Sequence, residues 1–289
     1  MTAIVLALIA ALGYGFSDFV GGVASRRVAA LRVVIVSYPV SVLIVAAVMP
    51  FVGGTLTASS VVWGALSGLA GGVAVWWFYL ALAAGPMAVV SPITAVLVAG
   101  VPVGVGLVLG ERPGVLAYIG IALALVAVLM VSKESPDDAA GDVAGGRTLR
   151  FTPRVAWLTV GSGLAFALTF IFLDLAGEDD AGLWPLLANR VTATALVWAV
   201  ALGTGMFSFP RGGVLKLAAW IAVLDVAANA ALLYAFQGGL LSLVSVIASL
   251  YPAATVLLAM VMLGERVAKV QIVGMVIALG AVGLITAGA

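Results

Sequence analysis

Few residue types in this sequence can do chemistry. The 289 residues include no His and no Cys, which removes imidazole acid-base catalysis, thiolate nucleophiles, disulfides, haem ligation and zinc sites together. Carboxylates, Lys, Arg, Tyr, Ser and Thr remain, and no combination of them reads as a metal or cofactor site. Two spacings place polar groups on one helical face: Tyr14 precedes Asp18 by four residues with Ser17 beside them, and Asp225 precedes Asn229 by four. In an apolar setting such a carboxylate can hold a proton or a substrate ammonium in alternation. That makes Asp18 and Asp225 candidate coupling groups, and Tyr14, Asp18, Asp225 and Asn229 candidate substrate contacts. The competing reading is a fixed ion pair with Arg190 or a satisfied interhelical hydrogen bond. Trp76, Trp77 and Tyr79 form an aromatic cluster, with Tyr234 and Phe236 further along the chain. Rings beside a carboxylate suit amphipathic amino acids or organic cations, although aromatics near helix ends also serve as an interfacial belt. Trp76 and Tyr79 join the substrate-facing candidates.

The elements that must position these groups follow from composition. Hydrophobic residues make up 64% of the chain and charged residues 9%, against about 25% charged in an average soluble domain. The missing wet surface must face lipid. A net charge of +1 provides no field for nucleic acid. A spanning helix needs about 20 mainly apolar residues, and ten such stretches are found, at 3–24, 31–52, 59–82, 88–109, 114–132, 154–175, 183–203, 215–236, 242–263 and 267–287. They leave no room for an extramembrane domain and predict an all-α multi-pass membrane protein, monomeric or homodimeric. The first stretch lacks a positive n-region and a cleavage pattern before Arg26, so it reads as a retained helix. Asp18, Arg190, Asp225 and Asn229 therefore fall inside spans, where an uncompensated charge costs at least about 2.5–3.5 kcal/mol.

The polar stretch from Ser132 to Arg154 holds Lys133, Glu134, Asp137, Asp138, Asp142, Arg147 and Arg150, and divides the chain into 1–132, a linker over 133–153, and 154–289. Eleven of the 13 Lys and Arg residues lie in the breaks after the first, fifth, seventh and ninth spans. By the positive-inside rule those breaks and the linker are cytoplasmic. The two halves resemble each other. Leu109-Gly110-Glu111-Arg112 returns 154 residues later as Leu263-Gly264-Glu265-Arg266, with Gly85, Val90, Ser91, Ile93 and Ala99 answered by Gly239, Val244, Ser245, Ile247 and Ala253. Beyond the motif, Gly120 and Ala124 return as Gly274 and Ala278, while Gly13 and Phe16 are answered more loosely by Gly163 and Phe166. Halves of five spans each must enter from opposite sides, which predicts an inverted repeat.

The run Tyr79-Leu80-Ala81-Leu82 through Pro92 and Pro102 to Gly110-Glu111-Arg112-Pro113 resembles the first EamA-type repeat of the drug/metabolite transporter superfamily. The run Ser249-Leu250-Tyr251-Pro252 through Gly264-Glu265-Arg266 to Gly274 and Gly280 resembles the second. The resemblance implies a ten-helix inner-membrane carrier, not an enzyme, that moves amino acids, other metabolites or drugs, typically outward, through a central cavity. That cavity is lined by spans 1, 3, 4, 6, 8 and 9. Such carriers are usually drawn with both termini in the cytoplasm, opposite to the charge count. An exchanger or importer of sugars or nucleosides, or a membrane scaffold that moves nothing, are the alternatives.

Arg190 stands where the family often has Arg and reads as a structural or gating residue near the interface, as does Arg32 in the first half. Pro39, Pro92, Pro102 and Pro252 interrupt spans and offer bending points for alternating access. Gly64, Gly68, Gly71 and Gly72, with Gly100 and Gly104, allow close helix approach. Glu111 and Glu265 read as helix-end anchors paired locally with Arg112 and Arg266. Asp174 falls at the end of the sixth span.

Overall fold

A computed structural model describes residues 1–25, 28–132, 143–144, 147–148, 151–177, 180–264 and 267–288. Glu265 and Arg266, and the loop and linker charges Arg26, Arg27, Lys133, Glu134, Asp137, Asp138, Asp142, Arg150, Glu178 and Asp179, lie outside the described residues. Lipid offers backbone amides no partner, so the apolar stretches must satisfy them internally as helices. The helices run α1 Thr2–Ser25, α2 Ala30–Val52, α3 Ala58–Ala84, α4 Met87–Val108, α5 Val115–Val131, α6 Pro153–Leu175, α7 Trp184–Gly203, α8 Gly213–Gly238, α9 Leu241–Ala248, α10 Tyr251–Leu258 and α11 Lys269–Gly288. Nine of the described apolar segments have at least 20 residues, counting Leu241–Leu263 as one. At 17 residues α5 is shorter but within the spanning range. In the linker Val143–Ala144 pairs antiparallel with Arg147–Thr148.

The ninth span is not one helix. α9 ends at Ala248, α10 begins at Tyr251, and a wider π turn over Ala259–Leu263 completes the crossing. Pro252 lacks an N–H, and its ring clashes with the carbonyl four residues earlier. The chain answers with tighter bonds from Leu250 N to the Ile247 carbonyl (3.1 Å) and from Ala253 N to the Leu250 carbonyl (2.9 Å).

The packing shows the inverted repeat. α1 packs on α8, α9 and α10; α6 packs on α3 and α4; α2 and α3 pack on α7, and α2 also on α8; α4 packs on α9, and α5 on α11. Exchanging the first five spans for the last five leaves this pattern unchanged. One end of the bundle, here the termini end, gathers both chain ends and the breaks after even-numbered spans. There Thr55 N donates to the Asp180 carbonyl (2.7 Å), and the backbones of Gly114 and Gly288 meet. At the linker end, Ala24 and Val33 pack with Val214 and Ala218.

Burial differs between these ends. Every residue from Leu241 to Leu250 is buried, whereas none from Tyr251 to Leu263 is. α1 repeats the contrast on one face. Val5, Ile9, Leu12 and Phe16 form an exposed stripe, and the opposite face is buried at Ala7, Ala10 and Ala11. Further along that interior face Asp18 and Gly22 are exposed. The interior face is therefore tightly packed toward the termini end and more accessible toward the linker end.

Candidate functional site

α1 is held by two glycines that flank Tyr14. A Cβ on Gly13 would meet Ala228 of α8 at 2.9 Å, and one on Gly15 would meet Tyr251 O of α10 at 2.8 Å. Small residues thus bring three backbones together, and Thr255 Oγ1 adds a hydrogen bond to the Gly15 carbonyl (3.2 Å). Tyr14 is aimed between α8 and α10, with its ring edge-on to Tyr251 at 6.2 Å between centroids. One turn later Asp18 lies on the more accessible stretch of the same face.

On the facing side α8 presents Asp225 and Asn229 on one stripe. Asn229 Nδ2 donates to the Asp225 carbonyl (2.8 Å) and to Asp225 Oδ1 (3.2 Å), while Arg190 Nη1 of α7 donates to Asp225 Oδ2 (2.5 Å). Arg190 is buried and Asp225 half-buried, with side-chain exposures of 7% and 21%. The Arg190 guanidinium lies 5.9 Å from the centroid of the Tyr38 ring on α2. Trp198 Nε1 donates to the Ile35 carbonyl (3.1 Å) and fixes α2 against α7 one turn from Tyr38. Tyr14, Tyr38, Tyr79, Tyr251 and Asp225 all stand within electrostatic reach of Asp18. Groups on five helices therefore share one electrostatic neighbourhood with this carboxylate, which accepts no hydrogen bond and forms no ion pair among the described residues.

The sequence candidates separate accordingly. Tyr14, Asp18, Tyr79, Asp225 and Asn229 come together. Trp76 lies one turn from Tyr79 on the same face and is exposed at 37%, with no ring contact or hydrogen bond among the described residues. Trp77 points elsewhere, meeting Trp157 at a tilt with 6.3 Å between ring centroids, where both line an apolar groove of about 430 Å³ between α3 and α6. Leu66, Leu69, Leu164 and Leu168 line that groove too, so it belongs to the lipid-facing surface. Tyr234 packs against the core, and Phe236 meets Phe170 edge-on at 6.2 Å.

Several expectations need correcting. Arg190 is a buried partner of Asp225 and not an interfacial residue; the carboxylate compensates its charge inside the bundle. Arg32 does not share that role, being exposed in the first turn of α2. Glu111 does not pair with the Arg112 side chain. Its carboxylate accepts the backbone N–H groups of Leu241 (2.5 Å) and Ser242 (3.0 Å), while Arg112 donates to the Leu107 and Glu111 carbonyls (3.2 and 2.8 Å). The α3 glycines Gly64 and Gly68 meet the α7 backbone, but a Cβ on Gly104 would meet nothing within 4 Å, and one on Gly100 only Leu125 at 3.9 Å. Pro92 is accommodated within a continuous α4, while Pro252 breaks its span. Tyr38 and Tyr251 were missed, although each directly precedes a proline, in Tyr38-Pro39 and Tyr251-Pro252.

Known proteins can now be set beside this geometry. The EamA-like transporter family matches residues 1–133 and again residues 154–287. The chain belongs to the EamA-like transporter family. It is therefore a multi-pass membrane protein of a family of small-solute transporters, built from two repeats. The fold of this EamA-like protein also occurs in a solved structure described as "Crystal structure of protein", with a TM-score of 0.78 and 14% identity, over 99% of this chain and 96% of that one. No curated protein sequence matches significantly.

Proposed function

We propose that this protein is a secondary transporter of the bacterial inner membrane that exports a small amphipathic amine, such as an amino acid, a related metabolite or a cationic drug, by alternating access. The observation that carries this reading is the Asp18 carboxylate, which has no hydrogen-bond or ion-pair partner among the described residues and lies on the more accessible stretch of the interior face. Arg190 neutralises Asp225, so the cluster Asp18, Asp225 and Arg190 keeps one net negative charge. An ammonium group on the solute supplies the missing partner. Tyr14, Tyr38, Tyr79 and Tyr251 offer ring faces and hydroxyls around it, which suits an organic cation or an amine with an apolar body, and Trp76 extends the apolar side. Asn229 and Arg190 hold Asp225 in place and shape the opposite wall.

One carboxylate cannot hold a proton and an ammonium together, so the two exclude each other at Asp18. Exchange at that atom couples solute export to proton entry. The test is thermal stabilisation of purified protein by a panel of amino acids, nucleosides and organic cations. Stabilisation by amines that disappears in Asp18→Asn supports the reading. Stabilisation by neutral nucleosides or sugars alone, unchanged by Asp18→Asn, overturns it.

A further inference from the structure

We propose that Glu111 is a latch between the two repeats, whose carboxylate holds the termini end of the bundle closed by capping α9. The first-turn N–H groups of a helix have no intrahelical partner. α9 supplies none of its own, because its N-cap residue is Leu240, whose side chain makes no capping bond. Glu111, from the other repeat, replaces the missing cap with its bonds to Leu241 N and Ser242 N, and negative charge is favoured at that helix end.

The chain around Glu111 is shaped for this contact. Gly110 adopts φ 103, a left-handed turn that suits glycine, and returns Glu111 N to the Gly106 carbonyl (2.9 Å). The carboxylate then lies against Gly106, where a Cβ would clash with both of its oxygens. It holds this position although Asp174 stands within electrostatic reach.

The seal behind the latch has an opposing tendency. Ser242 and Ser245 on α9 are fully buried, and their hydroxyls have no hydrogen-bond partner among the described residues. Leaving such groups dry is unfavourable, and opening this end would rehydrate them. The closed end therefore balances two charge-assisted bonds against two dry hydroxyls, and removing the bonds shifts the bundle toward opening at the termini end. Because this inference rests on alternating access, its readout is accessibility, which reports the latch whether or not an amine is carried.

The absence of native Cys gives a clean background for labelling. S245C reports the sealed end. G22C reports the open end, since Gly22 lies one turn past Asp18 on the same face with no atom within 4 Å of its Cβ position. Each reporter is reacted with a membrane-impermeant maleimide, with and without Glu111→Ala. Loss of two hydrogen bonds to a charged acceptor is expected to raise labelling of S245C about tenfold or more and to lower that of G22C. A rise at both sites means general loosening, and no change at either means that Glu111 is not the latch; both results overturn the proposal. Glu111→Gln leaves both serines in place and keeps one uncharged acceptor for the two N–H groups, so it should give a smaller shift in the same reciprocal direction. It serves alone should Glu111→Ala fail to fold, and an unchanged ratio of the two labelling rates then overturns the proposal.

Discussion

α4 and the ninth span are built on the same motif 154 residues apart, yet they differ in shape, burial and chemistry. α4 is continuous despite Pro92 and Pro102. Its counterpart breaks at Tyr251-Pro252, where α4 carries Leu97 and Val98. The charges are unequal as well: the second repeat holds the paired Arg190 and Asp225, while the first holds Asp18 with no partner among the described residues. The scaffold is pseudo-symmetric and the site is not. A symmetric scaffold gives a carrier two related arrangements of similar energy, and on the proposed reading the unequal residues bias which one is occupied and what it binds.

The largest effect on this comparison is expected from the buried pair. Arg190→Ala leaves Asp225 uncompensated and should cost about 3–5 kcal/mol, read as a fall in Tm, with much of the loss recovered in Arg190→Ala/Asp225→Asn. Asp18→Asn should leave Tm unchanged or raised, since no partner is lost. Next comes exchange of the helix breaker. Val98→Pro imposes on α4 the interior proline of the ninth span and should destabilise by about 3 kcal/mol. Pro252→Val should straighten the ninth span, keep or raise Tm, and slow transport in proteoliposomes, because Tyr251 moves. Gly15→Ala should cost about 1–3 kcal/mol by pushing α1 from α10, whereas Gly104→Ala, with open space, should stabilise by about 0.5–1 kcal/mol.

The spans, the repeat and the family could be read in the sequence because lipid imposes length and apolarity on every crossing, and because Gly-Glu-Arg is a costly coincidence in a chain of Ala, Val and Leu. Asp18, Tyr14, Tyr79 and the Asp225–Asn229 stripe could be read for the same reason: polar groups in apolar helices stand out. Tertiary packing decided the rest. Which carboxylate Arg190 reaches depends on how α7 sits against α8. The Glu111 cap depends on a helix start 130 residues away, and local spacing pointed instead to the adjacent arginine. Tyr38 and Tyr251 have no charged residue within four positions in the sequence, so only tertiary packing brings their rings toward Asp18.

The account stands most directly on proton-driven transport of an amphipathic amine by reconstituted protein, compared with Asp18→Asn. Wild-type vesicles should accumulate the amine against its gradient when a proton gradient is imposed. Asp18→Asn should fold with unchanged Tm and show no accumulation above empty vesicles. Equal accumulation by both proteins would contradict the assignment of Asp18 as the site where solute and proton exchange.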